Sequence, residues 1–443
     1  MIRVTASVAV VVALTSTVAA EISPNEITIS SFNPAAAVAP ISSVEGPGVK
    51  VGEGTVVRPL FGIETGVISN VFYENVDAQG SGLLRLLAQV GVASLGTARL
   101  EPANEEPEVE VVNRGAFVYR ADLRLSYDLM LSSNNTVDET GGLGIGASFR
   151  GLVNPSGQFA FQFAENFDRI IRAANFETNV NTNRDINNLQ LILRYQPPNR
   201  SLTGLVYYAN LIDVFEREEQ SFANRMMNRI GVRPQWRFLP QTQAFVDVSW
   251  GVVTPLSEMA TKSTSYPLVA RVGIATLLSL KTTVNIDVGY TNGFYAKGPN
   301  FSAPLIGAQV GYRYSPLGRA TLGYILNYED SINANFYRDH VIRGTIQQLY
   351  APFIVMLQPE VHFRQYRGVR VAVPDLTGGA DTRNDTIIAL VGGVHYVFRD
   401  WIAGTVNYRF ASDQTNYVDF SGGTPDDPSY IRHELLLGVR AAL

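Results

Sequence analysis

The chain of 443 residues has no cysteine, four histidines, and lysine only at positions 50, 262, 281 and 297. Without cysteine there is no disulfide scaffold, no thiolate metal site and no thiol nucleophile. Charge is scarce as well: 17% of residues are ionic, 40 acids against 35 bases, for a net charge of −5. A disordered polyelectrolyte or a nucleic-acid-binding surface carries far more, so nucleic acid is not an expected partner. Beyond the first 20 residues no apolar run approaches the ~20 residues that a spanning helix needs.

Catalytic and metal signatures are missing too. His340, His362, His395 and His433 fall in separate segments, and no pair has metal-ligand spacing on one face. Ser148 in Gly146-Ala147-Ser148-Phe149-Arg150 lacks the second glycine of a nucleophile elbow. Gly142, Gly144 and Gly146 alternate with Leu143 and Ile145, as strand glycines do and a phosphate loop does not. A non-enzyme with no cofactor and no metal is the expectation.

The N-terminus has a basic Arg3, an apolar stretch from Val8 to Leu14 and small residues up to Ala20. That layout is a secretory signal peptide over residues 1–20, cut after Ala20. Residues 21–55, rich in Pro, Ala, Ser and Val, read as a flexible periplasmic lead-in, and residues 56–443 as one barrel.

What the chain does have is alternation. From Phe117 to Leu131 every odd position is apolar, while Arg120, Asp122, Arg124, Ser126 and Asp128 occupy the even ones. Period two sustained this far is a strand with one apolar and one polar face. Its length exceeds the five or six residues usual in soluble sheets and suits the ~9–11 of a tilted membrane strand. The pattern recurs, with Val284, Ile286, Val288 and Tyr290 opposite Thr283, Asn285, Asp287 and Gly289 in one segment. In another, Ile230, Val232, Trp236 and Phe238 oppose Arg229, Arg233, Gln235 and Arg237.

Connections decide between a soluble and a membrane barrel. Tight turns such as Asn154-Pro155-Ser156-Gly157, Leu239-Pro240-Gln241-Thr242 and Ser315-Pro316-Leu317-Gly318 alternate with long polar loops. Such sorting is that of periplasmic turns and extracellular loops. The class expected is all-β, a transmembrane up-and-down antiparallel β-barrel of about 18 strands, with about 16 as the smaller alternative, in the outer membrane of a Gram-negative bacterium. One periplasmic connection, 96–113, is long and acidic. It is either a small projection or a mis-registered first hairpin.

A barrel this wide leaves an aqueous lumen. The lumen-lining candidates are Arg120, Arg124, Arg194, Arg229, Arg233, Arg237, Arg271, Arg313, Arg343, Arg364 and Arg409. Guanidinium groups pair with carboxylates and sugar oxygens, so an anionic or polyhydroxylated solute is the expected passenger; the alternative is that these ladders only solvate and stiffen the wall. Loops 367–385 and 411–430 are the gating candidates, with Arg367, Arg370, Asp375, Asp413 and Asp419 in them.

The stretch Gly62 to Tyr73, ending Asn70-Val71-Phe72-Tyr73, followed by Leu83 to Leu95 and the strand from Phe117, resembles the opening of an outer-membrane porin family. This is beta-barrel porin type 2, associated with exopolysaccharide clusters. The resemblance implies an exit port for a secreted exopolysaccharide, working with a periplasmic polysaccharide export protein. The chain departs from this class at its end, Val439-Arg440-Ala441-Ala442-Leu443, where an aromatic residue read by the barrel assembly machinery is usual. The expected function is thus a conduit, first for polysaccharide, alternatively a general or substrate-specific diffusion porin, and third an enzyme or adhesin barrel. Outer-membrane lipid and the assembly machinery are expected partners in each case.

Overall fold

A computed structural model describes residues 46–443, apart from 47, 53, 95–115, 174–181, 199–200, 258–262, 333, 369–381 and 419–426. The expected signal peptide, most of the 21–55 segment and the acidic 96–113 connection therefore lie outside the described residues.

The strands are β1 (Val49–Val51), β2 (Thr55–Ile68), β3 (Ser81–Ser94), β4 (Phe117–Leu131), β5 (Gly142–Val153), β6 (Phe159–Ala173), β7 (Thr182–Tyr195), β8 (Leu202–Phe215), β9 (Arg225–Leu239) and β10 (Thr242–Pro255). They continue as β11 (Leu268–Ser279), β12 (Thr282–Asn292), β13 (Ser302–Ser315), β14 (Gly318–Asp330), β15 (Phe336–Tyr350), β16 (Phe353–Arg367), β17 (Thr382–Arg399), β18 (Ile402–Thr415) and β19 (Tyr430–Ala442). Each pairs antiparallel with its sequence neighbours, and β19 pairs with β2, so the strands from β2 to β19 close an 18-strand barrel. One helical turn, α1 (Asn135–Asp138), and a 3₁₀ segment (Glu218–Ala223) sit in loops.

Closure satisfies the backbone. At the seam Glu434 to Ala442 runs against Ile68 to Leu60, and β2 comes so close that a Cβ at Gly66 would collide with the Leu435 carbonyl. Beyond the end of β19 the ladder continues through Leu443 to β1, where Val49 faces Val57 and the Gly48 N–H donates to the Leu443 carbonyl at 3.1 Å. The first barrel hairpin is in register, Thr55 to Ile68 facing Ser94 to Ser81, and so are the strands on either side of the acidic connection, Gly82 to Ala93 facing Leu131 to Arg120.

The period-two pattern sorts the faces. On β4, Leu123, Leu125, Tyr127 and Leu129 are exposed on the outside, whereas Asp128 and Met130 are buried inside. The same holds on β12, where Ile286, Val288 and Tyr290 are exposed. Aromatic rings crowd the outer rim at the turn end, as in Phe159 on Tyr195 (5.3 Å between centroids), Trp236 on Phe238 (5.4 Å) and Tyr396 on Phe398 (4.7 Å). An outward apolar band, an aromatic girdle and a closed antiparallel ring place the chain in the outer membrane. The short-turn end is the periplasmic one by the same rule.

The band predicts an asymmetry between faces. Leu123→Arg, on the lipid side at mid-strand, costs about 2–4 kcal/mol in urea unfolding from lipid vesicles. Ser126→Arg, on the inner face of the same strand, changes stability little; equal costs would reverse the assignment of faces.

Candidate functional site: the two ends of the lumen

Charge on the inner wall is sorted along the barrel axis. In the four residues nearest the turn side of each barrel strand there is no Asp or Glu, and the bases are Arg58, Arg120, Arg150, Arg194, Arg237, Arg313, Arg319, Arg399 and Arg440. Each falls on the inward parity of its strand, so they form a collar at the periplasmic mouth. Arg120 stands directly opposite Arg150 across β4 and β5, an arrangement that is unfavourable unless an anion is near. Arg120 takes Asp122 from deeper in β4 at 2.8 Å, and Arg440 takes Glu64 at 2.6 Å. Arg194 and Arg319 bond to the neutral amides of Gln162 and Gln347, both at 2.7 Å.

Toward the loop side the arginines are matched by carboxylates. Arg85 makes two bonds to Asp128, at 2.7 and 2.9 Å, and lies within 4 Å of Glu64 and Glu434. Glu434 also meets Arg409 (3.5 Å) and Arg432 (3.2 Å). On the neighbouring strands Arg364 pairs with Asp339 (2.7 Å) while Arg383 pairs with Asp385 (2.7 Å) and Asp413 (3.6 Å). His362 lies between Asp339 (2.9 Å) and Glu360 (3.0 Å), wholly buried. This belt of ion pairs covers the inner wall from β15 through the seam to β4. Charges this deeply buried persist only in such matched sets.

Two loops fold down onto that belt. In loop 69–80, Val71 joins Ile68, Leu83, Met130 and Leu436 in an apolar cluster inside the barrel, capped by Val137 of α1. Asn134 fixes α1 by accepting from the Thr136 N–H, a local cap. Tyr73, with φ at 60°, reaches over to Ile387, Ala411 and Tyr430 on β17, β18 and β19 and covers the Arg432 guanidinium at 4.4 Å. Arg432 in turn donates to the Asn70 carbonyl at 3.1 Å, so one guanidinium holds the loop at two points.

A second closure spans the opening. Arg225 at the loop end of β9 donates to Asp213 on β8 (3.2 Å) and to Asp330 on β14 (3.1 Å), bridging a sector in which β10 to β13 intervene. Above it Ile332 packs on Phe215 and Ala223 from the β8–β9 hairpin. Asn335 holds this short loop to the next by donating to the Lys297 and Pro299 carbonyls at 3.0 and 2.9 Å. Tyr295, in loop 293–301, donates to Asp330 at 3.3 Å. Burial beside that carboxylate holds the phenol well above its usual range, so it remains a donor at every physiological pH.

The sequence candidates all lie on inward parity but in different settings. Arg237 and Arg313 belong to the mouth collar, as do Arg120 and Arg194. Arg124 meets Asp168 (3.1 Å), Arg271 meets Asp287 (3.0 Å) and Arg343 meets Glu360 (2.7 Å). Arg233 is buried over the Phe245 ring at 4.4 Å and 3.7 Å from Asp247, and Arg229 is half-buried beside Met227. Asp247 also accepts from Tyr207, whose ring crosses β9 above Gly231, where any Cβ would strike it. Arg364 and Arg409 belong to the buried belt rather than to an open path.

The gating assignments need correction. Asp413 is not a loop residue: β18 runs on to Thr415, and Asp413 is a buried wall residue paired with Arg383. Arg367 is the last residue of β16, and β17 resumes at Thr382. Arg370, Asp375 and Asp419 lie outside the described residues. Among the described residues the infolded segments are 69–80, 132–141, 216–224 and the ends of the 331–335 loop, and the residues missed are Tyr73, Val137, Arg225, Asp330 and Ile332. For Tyr73, Val137 and Ile332 the signal was present as apolar side chains inside otherwise polar loops, Val71-Phe72-Tyr73 above all, whereas Arg225 and Asp330 carried none.

No family model matches the chain, and no curated protein matches it. Among solved structures it is similar to Acinetobacter baumannii OccAB4, at 10% identity over 87% of this chain and 98% of that one, with a TM-score of 0.44. Pseudomonas aeruginosa OccK2 (OpdF) is 12% identical over 87% of this chain and 98% of its own, with a TM-score of 0.43. The siderophore receptor PirA from Pseudomonas aeruginosa is 8% identical over 87% of this chain and 80% of its own, with a TM-score of 0.40. The resemblance to the exopolysaccharide-associated porins rests on the chain's own opening segment.

Proposed function

We propose that the protein is a non-enzymatic, substrate-selective diffusion channel for small anions. The observation that carries this reading is the collar: arginines and no acid at the periplasmic end of the inner wall. A ring of one sign at a low-dielectric mouth raises the local concentration of counter-charged solute. Guanidinium adds paired donors that fit carboxylate or phosphate oxygens. The infolded loops at the other end support a solute that slips past a constriction in preference to a polymer that needs a cleared bore.

A second reading keeps the same collar for a different passenger, an acidic exopolysaccharide delivered by a periplasmic export protein. It is favoured by the collar facing the compartment from which such a polymer would come. That reading needs loops 69–80 and 331–335 to leave the lumen together.

Selectivity is read in planar bilayers under a salt gradient. The reversal potential of the unsubstituted channel has the sign of anion preference, and Arg237→Gln combined with Arg313→Gln and Arg319→Gln moves it toward zero. The effect is larger at 0.01 M than at 1 M salt, where the screening length falls from about 30 Å to about 3 Å. Cation preference in the unsubstituted channel would overturn the proposal.

The loop-side constriction has its own test. Tyr73→Ala removes ring and cation contacts worth about 2 kcal/mol. That shifts the ratio of pinned to released loop by roughly thirty-fold. Higher mean conductance per channel is expected, with the reversal potential unchanged because the collar is intact. Unchanged conductance would show that loop 69–80 does not set the constriction.

A further inference from the structure

The lipid-facing side of the barrel carries one polar interruption. On β6 to β9 the outward face includes Glu165, Asn187, Asn210 and Asn228, on the same parity as the exposed Phe161, Leu193, Val206 and Ile230. They are near neighbours: Glu165 faces Leu189, which faces Asn210, which faces Asn228, and Asn187 lies two residues from Leu189 on the same face. Asn187 donates to Glu165 at 2.9 Å, Asn210 donates to Asn228 at 2.9 Å, and Tyr208 donates to the same Asn228 oxygen at 2.7 Å. On the other strands the outward positions around mid-strand are Val, Leu, Ile, Ala, Phe, Tyr, Trp, Gly or Pro. Toward the loop ends of the described strands the same parity also carries Thr65, Thr386, Ser412, His340, bonded to Tyr324, and His433, bonded to Tyr408, but no carboxylate as deep as Glu165.

Hydrocarbon cannot solvate these groups. A carboxylate and three amides there are costly unless a polar surface covers them. Their mutual bonds leave capacity unused: Asn228 has no bond from its amide nitrogen and Asn210 none to its side-chain oxygen. We propose that a second copy of this chain covers the patch, giving a two-fold dimer with its axis along the membrane normal between β7 and β8.

The patch suits its own copy. Both copies must sit the same way up, so a two-fold axis along the normal brings together residues at equal height on β7 and β8. Asn187 and Asn210 flank such an axis as diagonal neighbours, Asn210 facing Leu189 two residues from Asn187, and each lies eight residues in from the turn-side end of its strand, Tyr195 to Asn187 and Leu202 to Asn210. An amide nitrogen carries two hydrogens, so Asn187 can bond Glu165 and also donate to the partner's Asn210 oxygen, a contact that two-fold symmetry makes twice per dimer. An isologous contact of this kind closes on itself and cannot run on into a chain of copies.

Because the chain has no cysteine, single thiols report on the interface directly. Asn187→Cys and Asn210→Cys, purified separately, mixed and reconstituted in vesicles, give a disulfide-linked dimer on mild oxidation. Val288→Cys, on the outer face of β12, mixed with either gives none. Native mass measurement of the unsubstituted protein in mild detergent gives twice the chain mass, and Asn187→Leu with Asn210→Leu keeps a folded barrel while shifting the mass toward one chain. Monomer mass together with no cross-link between the two thiols would overturn the proposal and leave lipid or trapped water as the cover. Cross-linking through Val288 as strong as through the patch would overturn it equally.

Discussion

The rest of the molecule depends on one constraint: inside hydrocarbon every backbone N–H and C=O must find its partner within the protein. A sheet meets that demand only when its last strand returns to its first. Here the return is the β19–β2 seam, helped by Gly66, which lets the two backbones approach, and by Leu443, which extends the ladder to β1. Once the ring is closed each strand has an inside and an outside. A period-two sequence is then sorted without further instruction, and a slip by one residue would put every arginine of that strand into lipid.

Closure also sets the electrostatics of the interior. Charges on neighbouring strands stand about 5 Å apart, close enough to pair directly. The belt around Arg85, Glu434 and Arg364 uses that spacing, and the matching of carboxylate to guanidinium makes burial beneath loops tolerable. At the mouth matching is partial: Arg120 and Arg440 take carboxylates from deeper in the wall, the rim itself holds none, and no loop covers the wall among the described residues. Water can solvate arginines there, so an unbalanced collar is stable at the rim where it could not be in the belt. The two ends therefore differ because one is wet and the other is covered.

The fold was legible because lipid imposes alternation on one chain at a time. Phe117 to Leu131 can be read alone, and so can the contrast between Leu239-Pro240-Gln241-Thr242 and the long loops. Legibility fades where strands rise toward the loops. At the end of β18 the outward residues are Ser412 and Gln414, polar on the lipid side's parity, so the alternation loses contrast and Asp413 looks like loop. Pairings across the barrel are harder still. Arg225 and Asp330 are 105 residues apart, and nothing in either segment states that β9 and β14 face each other across the opening. Asn70 to Tyr73 was recognisable as a signature but not as a lid on β17 to β19, because its anchors, Ile387, Ala411 and Tyr430, are spread over the C-terminal strands.

Those loop anchors explain how a fixed wall can carry a movable constriction. The wall's strands are held by continuous ladders, and no strand can leave without opening the ring. Loop 69–80 is held by the Tyr73 ring, Val71 and Phe72, two bonds to its backbone from the Arg432 side chain, and bonds from Asn70 to the Ile431 carbonyl (3.2 Å) and from Asn75 to Asp427 (2.8 Å), with Ser69 bonded to His433 at its start. Lifting it exposes Arg432 to the lumen, but Glu434 remains beside that arginine at 3.2 Å, so the newly wetted wall is still charge-balanced. Lifting the β14–β15 loop takes Ile332 off Phe215 and Ala223, while Arg225 keeps Asp213 and Asp330, which both belong to strands. Both movements therefore uncover charges that keep a partner. The cost of opening is set by these apolar, aromatic and single hydrogen-bond contacts, while the charge of the collar is left unaltered.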